Sequence, residues 1–216
     1  MKARSIKRIM TSILVISLVM APVITAAATT KSGNSTSVVE SIITSSTSGE
    51  VTSVAEVPST SSVAGVESTV TGVYLATSVN GSAITTSIAA IAEGYGLRGD
   101  EKPYAKFFDL DAKKSPLAKQ AIDLAASSLG AEVGPMLNIE LGKMSAGKYS
   151  LLPSDGTPIR LSFGIPSNFT QAGKTYAVVC VRTGGAVTVL EDVDTNPFTV
   201  TFDTTGGAGA YAIIKY

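Results

Sequence analysis

The chain has 216 residues with 17 basic and 17 acidic side chains, one cysteine and no histidine, a length that allows one domain with appendages. Without Lys2, Arg4, Lys7 and Arg8, which open the chain, 13 basic residues face 17 acidic ones, so no positive surface is available for a nucleic-acid backbone. A lone cysteine excludes an internal disulfide framework, and the lack of histidine removes the commonest general base and zinc ligand.

Met1–Arg8 is basic, Ile9–Ile24 is apolar apart from Thr11, Ser12 and Ser17, and Thr25-Ala-Ala-Ala28 supplies small residues behind Pro22. This order predicts a cleaved export signal over residues 1–28, leaving no membrane span in the mature chain. No cysteine for lipid attachment follows, and no LPxTG-like motif closes the sequence. The mature chain is therefore expected to be secreted or held at the cell surface by contacts of its own.

From Thr29 to Thr71 nearly half the residues are Ser or Thr, with no aromatics. Such a stretch buries too little apolar surface to offset a backbone ordering cost of roughly 1–2 kcal/mol per residue. It reads as a low-complexity tether, with or without O-glycans. Asn34, Asn80 and Asn168 stand in N-glycosylation patterns, which chance supplies readily in a Ser/Thr-rich chain.

A folded region is expected over 72–216. Val73–Val79 is strand-like and Asn80-Gly81 is turn chemistry. Thr85 or Thr86 is expected to cap a short helix carrying Ile88, Ile91, Ala92 and Tyr95. Pro103–Leu110 is a second strand candidate. Ser115-Pro116 opens a second helix with Leu117, Ala121, Leu124 and Ser128 along one stripe, ending at Gly130. These helices form an insert over about 85–130. Leu137, Ile139 and Leu141 alternate with Met136, Asn138 and Glu140, Ala146-Gly147 turns the chain, and Tyr149–Leu152 is extended. Ile159, Leu161, Phe163 and Ile165 share one face of a strand. Lys174–Arg182 is apolar on both faces and so predicts an interior strand. Thr183-Gly-Gly185 links it to Ala186–Leu190. Phe198, Val200 and Phe202 are expected to point inward, and Ala210–Tyr216 closes the fold. Short strands with frequent turns predict a mostly β architecture, an antiparallel immunoglobulin-like sandwich with two short helices ahead of its main sheet.

The tail Phe198-Thr-Val-Thr-Phe202 … Tyr211-Ala-Ile-Ile-Lys-Tyr216 resembles the closing strands of small immunoglobulin-like domains in secreted and surface proteins of Gram-positive bacteria. Pro158–Phe169 and the 174–182 strand fit the same layout, so the likeness covers about the last 60 residues. The Phe-Ser of that pattern is replaced here by Gly206-Gly-Ala-Gly209. The resemblance implies a spacer or adhesive unit and carries no catalytic residues across.

No catalytic constellation, cofactor site or metal site is assigned. Cys180 lies mid-strand without a histidine to activate it and reads as core. Asp109 and Asp111, two apart, suit carboxylate chemistry, yet Lys113 and Lys114 follow and suggest a charge-balanced loop. Glu191, Asp192, Asp194 and Asn196 offer oxygen ligands for Ca²⁺ but lack the EF-hand glycine and terminal glutamate, and read as a surface turn. With Trp absent and the phenylalanines expected inside, Tyr74, Tyr104 and Tyr149 are the remaining candidates for stacking on sugar. The first reading is a non-enzymatic surface or secreted module for adhesion to an unknown extracellular protein or glycan. The second is a small-ligand or glycan binder, and the third a carboxylate-dependent hydrolase.

Overall fold

The computed structural model describes residues 61–216; the expected export signal, the tether up to Thr60 and Asn34 lie outside them. The described chain starts with a hairpin of β1 (Ser62–Val63) and β2 (Val66–Glu67), upstream of the expected start at Gly72. Its two-residue turn places Ala64 and Gly65 at φ 49° and 83°, the backbone a tight primed turn requires. There follow β3 (Gly72–Tyr74), β4 (Ser82–Ile84), α1 (Ile88–Gly94), β5 (Lys102–Asp109), α2 (Pro116–Ser128) and β6 (Glu132–Ser145). The chain continues through β7 (Lys148–Leu151), β8 (Ile159–Gly164), β9 (Tyr176–Arg182), β10 (Val187–Glu191), β11 (Thr199–Thr204) and β12 (Gly207–Lys215).

The fold is mostly β with two short helices. One sheet has seven strands in the order β10-β9-β12-β6-β5-β3, with β7 also paired to β6; the other has three, β11-β8-β4. The expectation of purely antiparallel sheets fails at one place, since β3 runs parallel to β5. The chain between them passes through β4 and α1 instead of a hairpin, and such a crossover delivers the returning strand in the same direction. Between Ala212 and Ile214 the β12–β6 register slips opposite Val133 to Met136. Pro135 lies in that stretch and has no N–H for the ladder, which accounts for the irregularity.

The two sheets face each other across an aromatic core. Tyr74 stacks on Phe107, Phe107 meets Phe163 edge-on, Phe163 meets Phe202 at 5.0 Å between ring centres, and Phe202 reaches Tyr211. Leu137, Ile139, Leu141, Val178 and Cys180 fill the same layer. Each fully buried side chain of this size contributes about 1.5–3 kcal/mol. The two-faced apolar pattern of β9 has a simple cause. Tyr176, Val178 and Cys180 face this core, while Ala177, Val179 and Val181 face a second one under α2.

That second core corrects the expected helix face. α2 turns Ile122 and Ala126 onto Val179, Ala212 and Ile214, with Ala118, Ala121 and Ala125 packed beside them. Small side chains let the helix lie close to the sheet. The expected leucines are outside, Leu117 77% and Leu124 66% exposed. Ser115 precedes the helix but makes no side-chain cap, leaving Pro116 as the start signal. In α1 the cap is Ser87, whose hydroxyl accepts from Ala90 N–H. Thr86 instead accepts from Arg160 N–H through its hydroxyl, and Thr85 N–H donates to Arg160 C=O.

Candidate functional site

An open groove of about 420 Å³ lies where β8 ends and β4 and β11 begin. Gly164 and Ile165 line it, with Val63 and Ala64 from the first hairpin and Phe198 from the residue just before β11. The sequence makes this junction in detail. Asn80 N–H donates to Gly164 C=O, Gly164 N–H donates to Gly81 C=O, and the Asn80 amide donates to Ile165 C=O at 3.1 Å. A Cβ on Gly164 would sit 2.1 Å from the Asn80 carbonyl oxygen, and one on Gly81 (φ +92°) would sit 1.9 Å from that of Ser62. Both positions therefore require glycine.

Phe198 was expected inside; it is 65% exposed. Val200 and Phe202 do point into the core, but the strand begins at Thr199. The chain is bent just before it by the acidic segment. Asp192 Oδ1 accepts from Asp194 N–H, Asp194 Oδ1 from Asn196 N–H, and Asn196 Oδ1 from Phe198 N–H. Three side-chain turns in succession thus set where the ring goes. The spacing of Asp192, Asp194 and Asn196 by twos, followed by Pro197, was the available signal.

The groove lining carries no charged side chain. Its polar groups are Asn80, Ser167, Thr170 and Thr199. The Thr170 hydroxyl donates to Pro166 C=O and the Thr199 hydroxyl to Asp194. Among the described residues, Ser167 Oγ and Asn80 Oδ1 make no hydrogen bond, which leaves a hydroxyl and an amide oxygen for a ligand.

The other candidates are engaged within the fold. Asp194 Oδ2 accepts from the hydroxyls of Thr199 and Thr201, and Asp192 Oδ1 also accepts from Thr201 N–H at 2.9 Å. Burial pushes the Asp192 carboxyl above its usual range, against the lowering effect of its Thr201 and Asp194 donors. No cluster of three or more metal-ligating side chains occurs among the described residues. Asp109 accepts from Thr77 N–H and hydroxyl and from Ser78 N–H. Burial raises its pKa, but the Ser78 and Thr77 donors more than offset this and hold it below the usual range. Asp111 accepts from Lys113 N–H and pairs with Lys114 at 3.5 Å. The two aspartates serve separate turns and do not converge on a cleft.

Cys180 is buried, and burial pushes its thiol up, away from nucleophilic thiolate. Tyr74 is core: its hydroxyl donates to Val70 C=O, and burial raises its pKa to about 12. Tyr104 and Tyr149 meet edge-on at 5.8 Å, but Lys106 Nζ lies 3.9 Å from the Tyr149 ring centre and occupies that face. Lys106 also pairs with Glu140 at 3.3 Å. The aromatic ring offered to solvent beside a cavity is therefore Phe198, which sequence reasoning had placed inside.

Comparison of the chain with protein-family models, curated proteins and solved structures gives no match.

Proposed function

We propose that this protein is an exported, non-catalytic interaction module: a leader, a Ser/Thr-rich tether, and a β-rich head of the immunoglobulin-like kind that adheres to a neutral glycan. The exposed Phe198 ring at an uncharged groove carries this reading. A sugar's C–H face packs on such a ring, and its hydroxyls find a hydroxyl donor and acceptor in Ser167 and an acceptor in Asn80 Oδ1. The lack of charge in the lining favours neutral over acidic saccharides, since an acidic one would be desolvated without a counter-charge. The hydrolase reading has less support, because Asp109, Asp111, Asp192 and Asp194 are taken up in turns. Adhesion, export and surface location all belong to this proposal.

A glycan array followed by calorimetric titration tests it. Neutral oligosaccharides are expected to bind, with affinity falling about tenfold or more in Phe198→Ala, a loss of about 1.4 kcal/mol, and a smaller fall in Ser167→Ala. Binding of acidic glycans alone, or binding that Phe198→Ala leaves intact, would overturn it.

A further inference from the structure

Residues 61–71, which composition assigns to the tether, fall into two parts that are held differently. Thr69 N–H donates to Ile84 C=O at 2.9 Å, and its hydroxyl reaches the carbonyls of Ile84 and Thr86. The Ser68 hydroxyl accepts from Ile84 N–H and lies 2.8 Å from that of Tyr74. Val70, next in sequence, is buried. This stretch is fastened to β4 and to the aromatic core.

The hairpin just ahead of it has no such hold. Its ladder pairs Ser62 with Glu67 and Val63 with Val66, and Ser68 N–H closes it on Ser61 C=O at 2.8 Å. Among the described residues, no hydrogen bond joins 61–67 to any residue beyond Ser68. Ala64, Gly65, Val66 and Glu67 are exposed. The hairpin is seated by the buried Val63 side chain and by the Ser62 carbonyl, so close to Gly81 that a Cβ there would sit 1.9 Å from its oxygen.

We propose that the β1–β2 hairpin is a flap of the groove, which opens at the Ser68–Thr69 fastening while the rest of the head stays folded, and which an occupant of the groove keeps closed. An isolated two-stranded ribbon is at best marginally stable in water. Undocking of Val63 and loss of the ladder are therefore one local opening, well below the free energy of unfolding the head. Val63 and Ala64 line the groove, so the opened hairpin takes part of the lining with it. The link to occupancy rests on reading the groove as a binding site: a ligand that touches these two residues binds the closed form and shifts the population towards it. Its affinity is lowered by the fraction of heads that stand open.

Amide hydrogen exchange of the full chain, resolved by NMR, tests this at two adjacent residues. Ser68 N–H is bonded within the flap, to Ser61, and Thr69 N–H to the body, at Ile84. Relative to its unfolded-chain rate, Ser68 is expected to exchange at least about tenfold faster than Thr69. Val63→Ser should speed Ser68 further and leave Thr69 and the cooperative melt in place; if that variant does not melt cooperatively, Val63→Ala replaces it. A neutral oligosaccharide that binds in the array should slow Ser68 and bind the Val63 variant less tightly. Equal protection of Ser68 and Thr69, both opening only with the whole head, would overturn the flap. A bound oligosaccharide that leaves Ser68 exchange unchanged would overturn the link to occupancy. Fast Ser68 exchange with no oligosaccharide bound would overturn the glycan reading alone and uphold the flap.

Discussion

The acidic segment at 191–196 and the groove beside it use polar groups in opposite ways. In the segment, Asp192, Asp194 and Asn196 are engaged by N–H groups and hydroxyls of the same chain. In the groove, Ser167 and one oxygen of Asn80 have no partner among the described residues. A carboxylate held by several donors is a structural element, because freeing it for a ligand would leave those donors unpaired. The first region holds the backbone of Phe198 in place, and the second leaves room beside its ring. Asp109 has a similar structural part, since it fixes Thr77 and Ser78 shortly before Asn80.

The sharpest way to break this division is Asp194→Ala. It removes the acceptor for Asn196 N–H and for the hydroxyls of Thr199 and Thr201, and Thr201 is buried. A loss of about 2 kcal/mol is expected, from unpaired donors and a released turn, measured by urea unfolding. Ligand binding at the groove should weaken in parallel because Phe198 loses its anchor. Unchanged stability would mean that the segment is not engaged as described.

Asp109→Asn comes next. Both carboxylate oxygens accept hydrogen bonds, so the amide must turn an NH₂ toward a donor. The site is exposed, and a loss of about 1 kcal/mol at neutral pH is expected. The folded pKa lies below the unfolded value of about 3.9, so the aspartate's stabilisation is present above that pH. It is lost as pH falls through the folded value. The gap between the original chain and the variant should therefore close in acid; a gap independent of pH would assign the effect to packing instead.

Much of the architecture was legible because periodicity reports burial. The alternation of Ile159, Leu161 and Phe163 gave the strand β8 and its core face, although Ser162 and Gly164 on the other face are buried too, and the unbroken apolar run at 176–181 gave β9 as an interior strand. Pro116 and Gly130, the latter at φ 63°, bracketed α2. Periodicity failed where two stripes competed. α2 offers leucines on one line and alanines with Ile122 on another, and residue size favoured the wrong one, since a closely packed helix buries small side chains. The β3–β5 pairing was illegible because a strand's own pattern does not name its neighbour. Phe198 shares parity with Val200 and Phe202, but parity extends only as far as the strand, and the Asn196 turn ends it one residue earlier.

The mildest substitution is the most discriminating. Asp192 differs from Asp109 in that both its donors, Asp194 N–H and Thr201 N–H, use the same oxygen, Oδ1. Asp192→Asn keeps that oxygen as an amide carbonyl and keeps both bonds. Burial raises the folded pKa of Asp192, with Asp194 adding repulsion, so ionisation works against folding. The penalty is absent below the unfolded value of about 3.9 and complete above the folded one. Removing the charge should leave stability at neutral pH within about 0.5 kcal/mol of the original chain or slightly above it. A clear loss in Asp192→Asn would show that the charge itself is required at this position. That result would reopen cation binding by the loop, which calorimetry with Ca²⁺ on the original chain and the variant would then decide.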